Sequence, residues 1–263
     1  AFSIDRVPDR TEFEAVPKRE NDGKISTKAI IMQRLGKYTA SDRMSDLVCD
    51  DYRILLTMSR FGIALGLGDR TVDEVCRRSG VDTTTFLAVV NQSFAEGTEG
   101  DSPNISLEAF LRYLHDSHAY FLHYRLPDIR RKLTEAVACG RAGIAEAIVR
   151  FFDDYAAEVR KHMLYEEETV FPYVRRLLSG VCSEEYDIET FQRCHDQIEA
   201  KLTELKNILI KYYPASDSCG KEMNGVLYDI FLCESELTSH NDLENRLFIP
   251  SVAEVERKLR DAR

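Results

Sequence analysis

Apolar residues recur along most of this chain at intervals of three and four, the spacing of one buried helical face, while strand-like alternation is weak throughout. Between Ser41 and Gly62 they fall at Met44, Leu47, Val48, Tyr52, Leu55, Leu56 and Met58, which predicts one helix capped by Ser41 or Asp42 and ended by Gly62. The glycine-rich GIALGLGDR behind it reads as a turn. Thr71-x-x-Glu74 is a capping box for a short helix to about Arg78, Ser79-Gly80 breaks it, and Asp82 or Thr83 caps another from about Thr84 to Glu96. Before this region the first residues, to about 24, are polar and charged and read as a loose arm, with a short helix over Ile25 to Leu35.

EGTEGDSPN, residues 96 to 104, is a polar linker, and four long amphipathic helices follow it. The first starts at its cap Ser106 and runs to about Ala138 with a kink at Pro127. A second spans about Ala142 to Val170 and stops at Phe171-Pro172. The third runs from near Asp187 to Tyr213, closed by Pro214, and the fourth from about Ser218 to Leu247, stopping at Pro250 before a short tail helix. The predicted fold is all-α: an arm over residues 1 to 40, a small helical domain over 41 to 98, and an antiparallel four-helix bundle over 105 to 263.

Within the bundle the chain repeats itself. EVRKHMLYEEETVFP and ELTSHNDLENRLFIP share a frame in which Glu158 or Glu236 precedes His162 or His240 by four residues, Glu166 or Glu244 follows by four, and Pro172 or Pro250 by ten. The i, i+4 spacing sets each His and its following Glu on one helical face. A further His-Asp pair, His115-Asp116 and His195-Asp196, lies at a similar distance upstream of each, so the bundle reads as a duplicated hairpin with inward ligands on facing helices. The candidate metal ligands are His115, His162, Glu166, His195, His240 and Glu244. His118 could take the place of His115, but the Asp following both His115 and His195 favours His115. Glu158 and Glu236 are either partners of the ligating histidines or surface charge.

Four imidazoles and two carboxylates suit a pair of first-row ions, iron or manganese better than calcium or a structural zinc. The His-x3-Glu spacing differs from the Glu-x-x-His of ferritin-type bundles. Any one of these histidines alone reads as a satisfied core residue; the matched frames argue for a site.

Charge and cysteine usage narrow the setting. A net charge of −10, from 35 basic and 45 acidic residues, works against nucleic acid or anionic lipid as a partner of the whole surface. TVDEVCRRSGVDTTTFLAVV has the layout of a DNA-reading helix-turn-helix, yet Thr83 to Glu96 holds no Lys or Arg, so a packing role is expected. No apolar run is long enough for a membrane span, the opening residues carry no apolar block of a signal peptide, and the seven cysteines are scattered without C-x-x-C. A reducing, cytoplasmic setting with mostly buried thiols is the expectation.

The ligand-bearing motifs, HDSH, HMLYEEETVFP, CHD and HNDLENRLFIP in chain order, resemble the hemerythrin-like cation-binding domain, most of all the di-iron repair-of-iron-centres proteins, which restore iron-sulfur clusters damaged by nitric oxide or peroxide. The likeness covers about residues 106 to 250, and Asp42 to about Phe94 is similar to that family's small N-terminal domain through RFGIALGLGDRTVDEVCRRSGVD. The family's double-cysteine element falls here on Gly66-Leu67. The resemblance implies two iron ions bridged by Glu166 and Glu244, nitric oxide or O2 as a small ligand, damaged iron-sulfur proteins as clients, and a stress-response role. The further histidine of oxygen-carrying hemerythrins is not evident, which implies a more open, labile centre. An O2 or NO sensor or carrier without turnover is the alternative, and a bundle merely stabilised by zinc or manganese is a third. A homodimer stays open.

Overall fold

In the computed structural model, which describes residues 38–92, 105–138, 142–181, 186–192, 199–213 and 220–262, every regular element is helical. The expected N-terminal arm and the linker at 96 to 104 lie outside the described residues. Tyr38–Arg263 form one compact unit, and no described helix is long and apolar enough to cross a membrane.

Four short helices open the unit: α1 (Met44–Asp50), α2 (Ile54–Arg60), α3 (Val72–Arg78) and α4 (Thr83–Gln92). They enclose Met44, Leu47, Met58, Val72 and Phe86. The single helix expected from Ser41 to Gly62 is broken, because Asp51 is extended (φ −147°, ψ 111°) and its carboxylate accepts the Arg53 backbone N–H at 2.8 Å and its Nε–H at 2.7 Å. A short acidic side chain has here outcompeted the helical backbone for a nearby donor. Gly62 ends α2 at φ +70°, a conformation that glycine adopts at little cost. The capping box is as expected: Glu74 N–H donates to Thr71 Oγ1 at 3.3 Å and Thr71 N–H to Glu74 Oε2 at 2.9 Å.

The helix-turn-helix layout of α3 and α4 serves packing. Thr85, Phe86, Ala88, Val89 and Val90 are all buried. Ala88 and Val89 join the core of the following bundle, Ser106 N–H donates to Thr85 Oγ1 at 2.9 Å, and Phe61 bridges Phe86 and Tyr113 at centroid distances of 5.4 and 4.7 Å.

The bundle is built from α5 (Leu107–Tyr120) continuing into α6 (Leu126–Val137), α7 (Ala142–Tyr165) into α8 (Phe171–Leu178), α9 (Ile188–Gln192) and α10 (Glu199–Tyr212), and α11 (Gly220–Leu243) into α12 (Ile249–Asp261). Helices α6, α7, α10 and α11 touch in a closed ring. Ser106 caps α5 by accepting Ala109 N–H at 3.3 Å.

Three of these joints are π-helical turns, Phe121–Arg125, Glu166–Val170 and Glu244–Phe248. Each closes with a bond five residues back, from Leu126 to Phe121, Phe171 to Glu166, and Ile249 to Glu244, and each is followed by a proline at the second residue of the next helix. The expectation that Pro172 and Pro250 stop their helices is therefore corrected. The wide turn shifts the hydrogen-bond ladder by one residue just before the ring, and the helix continues past a proline that would break or kink an unbroken α-helix.

Two apolar clusters fill the bundle. One gathers Phe110, Leu114, Val170, Phe171, Leu247 and Phe248; the other gathers Phe121, Phe152, Val159, Met163, Leu205 and Ile230. Each fully buried side chain of this size contributes about 1.5–3 kcal/mol relative to exposure. The seam between the two clusters, where Leu114 gives way to Phe121, Met163 to Val170 and Leu237 to Leu243, is where the polar residues sit.

Candidate metal centre

Helix α5 presents its inner stripe at Leu111, Leu114 and His118, continued by Phe121 in the π turn behind it, so His118 occupies a core position. Glu166 and Glu244 are the first residues of their π turns, and His162 and His240 stand one turn earlier on α7 and α11. Glu166 and Glu244 are 0 % exposed. Burying a carboxylate with no compensating charge costs several kcal/mol, so this pair calls for positive charge beside it.

The groups converge. His118 Nε2 lies 2.9 Å from Glu166 Oε2, His162 Nε2 2.6 Å from Glu166 Oε1, and His240 Nε2 3.1 Å from Glu244 Oε1. One ligand atom each from His118, Glu166, His240 and Glu244 falls within 4.8 Å of the others. His162 flanks this quartet at its edge. Close as they are, His118 Nε2, both Glu166 oxygens and both His240 ring nitrogens make no hydrogen bond of acceptable angle. Nitrogen and oxygen ligand atoms that converge this closely in a buried site are spaced as they would be around an ion. Aromatic rings wall the site: Phe171 stacks on His118 at 5.4 Å, Phe121 meets His240 edge-on at 5.8 Å, and Phe191 lies over His162 at 6.3 Å.

A model of the hemerythrin HHE cation-binding domain matches residues 109–252. The chain belongs to that family. No curated protein matches it. The matched span runs from α5 into α12 and holds all three π turns and the whole quartet.

Within this hemerythrin domain the donor set fits a cation: two imidazoles and two carboxylates, wholly buried, with a third imidazole beside them. Burial is the largest single influence on His118 and would lower its pKa, but Glu166, Glu167 and Glu244 together push it up to about 9. A proton on His118 answers the carboxylates, and a bound cation would take the place of that proton.

The structure reverses one preference drawn from the sequence. His115 is not brought to the quartet; its side chain is 60 % exposed and its Nδ1 lies 3.0 Å from Glu167 Oε2. The Asp that follows it carries no information about facing, whereas the apolar stripe does: His115 sits between exposed Arg112 and Asp116, off the line of Leu111, Leu114 and Phe121. His195, the ligand expected from the third helix, lies outside the described residues.

The two glutamates that precede the histidines have different fates. Glu158 is on the exposed face of α7. Glu236 is held by Arg60 of α2 at 3.7 Å, by Arg125 at 3.5 Å and by the Tyr120 hydroxyl. Sequence reasoning missed Glu167, which accepts from His118 Nδ1 at 2.8 Å. Burial raises the Glu167 pKa, but His118 and His115 outweigh it and hold the carboxyl below its usual range. The run Glu166-Glu167-Glu168 was the visible signal, since two successive acidic residues can both face one neighbour in a widened turn.

Proposed function

We propose that this domain holds a non-haem di-iron centre and serves in the cytoplasmic response to nitrosative and oxidative stress, repairing iron-sulfur clusters by iron delivery or handling nitric oxide. The residues that would hold it in this reading are His118, His162, Glu166, His195, His240 and Glu244. The observation that carries it is the buried quartet His118, Glu166, His240 and Glu244, whose ligand atoms lie within 4.8 Å of one another. An all-nitrogen-and-oxygen set of this kind suits iron ahead of manganese, and fits poorly with a structural zinc, which favours a closed four-coordinate shell.

Bound iron supplies redox change and a Lewis-acidic position for a diatomic ligand. The chain supplies the rest. Apolar layers on both sides of the seam exclude water and lower the dielectric, which strengthens every charge interaction inside. Glu167 accepts the Nδ1 proton of His118 and so leaves Nε2 free to face Glu166, the carboxylate-histidine arrangement that orients a metal ligand.

Metal analysis of protein purified without added metal tests the centre: two irons per chain are expected, and a single zinc would overturn it. Glu166→Ala is expected to abolish restoration of a nitric-oxide-damaged cluster in vitro, and undiminished restoration by that variant rejects the repair role.

A second reading, an O2 or NO sensor without turnover, draws support from Arg60, which reaches from the N-terminal helices to Glu236, one turn before His240 on the same helix. It requires a reversible optical change with the gas and a change of protease sensitivity in α1 to α4. Gas binding that leaves those helices unaffected speaks against it.

A further inference from the structure

We infer that His115 and Glu167 form a surface-facing capture site for divalent cations that hands ions inward to the buried centre, an inference that rests on the metal-centre reading above. The geometry is a train of alternating nitrogen and oxygen ligands. His115 Nδ1 lies 3.1 and 3.0 Å from the two oxygens of Glu167, Glu167 Oε1 lies 2.8 Å from His118 Nδ1, and His118 Nε2 lies 2.9 Å from Glu166 Oε2. Side-chain exposure falls along the same line, from 60 % at His115 through 23 % at Glu167 and 3 % at His118 to 0 % at Glu166.

A hydrated divalent ion cannot cross an apolar layer, because each water it sheds has to be replaced by a ligand. The train offers such replacements in steps of one side chain. Glu166 and Glu167 are neighbours in the chain, and the π turn that begins at Glu166 lets both contact the same imidazole. An ion taken by His115 and Glu167 therefore has the next carboxylate within reach around one ring. A second opening beside the centre, next to His162, is lined by Tyr155, Val159, Met163, Leu202 and Leu237 together with Asn241 and Glu234, and the Glu234 carboxylate is already engaged by Thr203 Oγ1 at 3.0 Å and by Lys206. Displacement of His115 from the core and its pairing with Glu167 are then parts of one device.

The competing explanation is that His115 and Glu167 only brace His118. Loading kinetics separate the two. Metal-stripped full-length protein is mixed with Co(II) and filling is followed by absorbance in stopped flow, while release is driven by EDTA from the filled protein. In His115→Ala, loading and release are both expected to slow by about tenfold, the low end for loss of electrostatic capture, with an unchanged dissociation constant, because a kinetic port cannot alter the equilibrium. Asp116→Ala, which removes an exposed charge next door, is expected to load at the wild-type rate. Unchanged rates in His115→Ala overturn the port. So does weaker Co(II) binding through faster release alone, which is the mark of a brace, or equal slowing in Asp116→Ala, which is the mark of general surface charge. Wild-type protein that takes up no Co(II) removes the metal-centre reading itself; wild-type uptake with unaffected His115→Ala kinetics removes only the port.

Discussion

Arg60 and Glu236 meet where the N-terminal helices press on the bundle, Nη2 to Oε2 at 3.7 Å, with side chains only 8 % and 14 % exposed. The Arg60 guanidinium also lies 5.0 Å from the ring centres of Tyr120 and Phe121, and Phe121 in turn touches His240. A cation from outside the bundle thus props one wall of the candidate centre. Removing one partner of a buried ion pair strands the other, at a cost of about 3–5 kcal/mol. Arg60→Ala is expected to lower the unfolding free energy by about 3 kcal/mol, the low end of that range because the pair is long and Arg125 still faces Glu236. Urea denaturation measures it. The double variant Arg60→Met with Glu236→Leu should regain most of the loss, and a single variant within about 0.5 kcal/mol of wild type, the scale of an ordinary surface substitution, contradicts the account.

His118 and His115 make a direct comparison, since they lie three residues apart on one helix and only one faces inward. His118→Ala should lose metal stoichiometry and most of the stabilisation by added metal. His115→Ala should keep both. A ligand held at a hundred times its dissociation constant stabilises by about 2.7 kcal/mol, so a thermal melt with and without Fe(II) under anaerobic conditions reads the difference. Equal loss in both variants, or loss in His115→Ala alone, would return the ligand role to His115.

That reversal marks where the sequence was readable and where it was not. The bundle, its four helices and the twinned His-x3-Glu frames follow from periodicity and spacing alone, and the structure brings Glu166, His240 and Glu244 together as the frames imply. His118 was legible too, from the stripe Leu111, Leu114, Phe121, but the matching Asp residues after His115 and His195 drew the reading elsewhere. The break at Asp51 depends on a side chain choosing a local donor over the helix, which a stripe of apolar positions does not register. Prolines read as stops because a single-sequence rule assumes the α ladder continues up to them. Arg60 was invisible for a different reason: its partner Glu236 is distant in sequence, and long-range ion pairs leave no local periodicity.

The prolines give a third test. In the interior of an α-helix, proline costs about 3 kcal/mol relative to alanine. At Pro172 and Pro250 the preceding π turn has already shifted the ladder, so alanine has little to recover. Pro172→Ala and Pro250→Ala are expected to change the unfolding free energy by less than about 1 kcal/mol, because proline near the first turn of a helix is well tolerated. A gain near the full interior value, measured by urea denaturation, would show that the π turn does not relieve the ring. If either variant also loses metal, the turn owes part of its shape to the proline.

The three described cysteines sort by burial. Cys76 and Cys233 are buried and Cys49 is exposed. Burial, the largest influence on each, pushes the Cys76 and Cys233 thiols up to about 12, and at Cys233 the nearby Glu236 adds to the rise. At pH 8 a thiol of that pKa is thiolate to about one part in ten thousand, against roughly a quarter for an ordinary cysteine near 8.5. Brief treatment of the folded protein with iodoacetamide, followed by peptide mapping, should label Cys49 and leave Cys76 and Cys233 unmodified until denaturant is added. The same shift carries a sign for stability. Above about 8.5 the unfolded chain gives up these protons while the folded chain keeps them, so the unfolded state binds fewer protons and stability falls as pH climbs toward 12. Replacing Cys233 by Ala should flatten that alkaline decline in urea midpoints between pH 8 and pH 10. Rapid labelling of Cys233 in the native protein would show that the contact of Arg60 and Glu236 opens far more often than its burial implies.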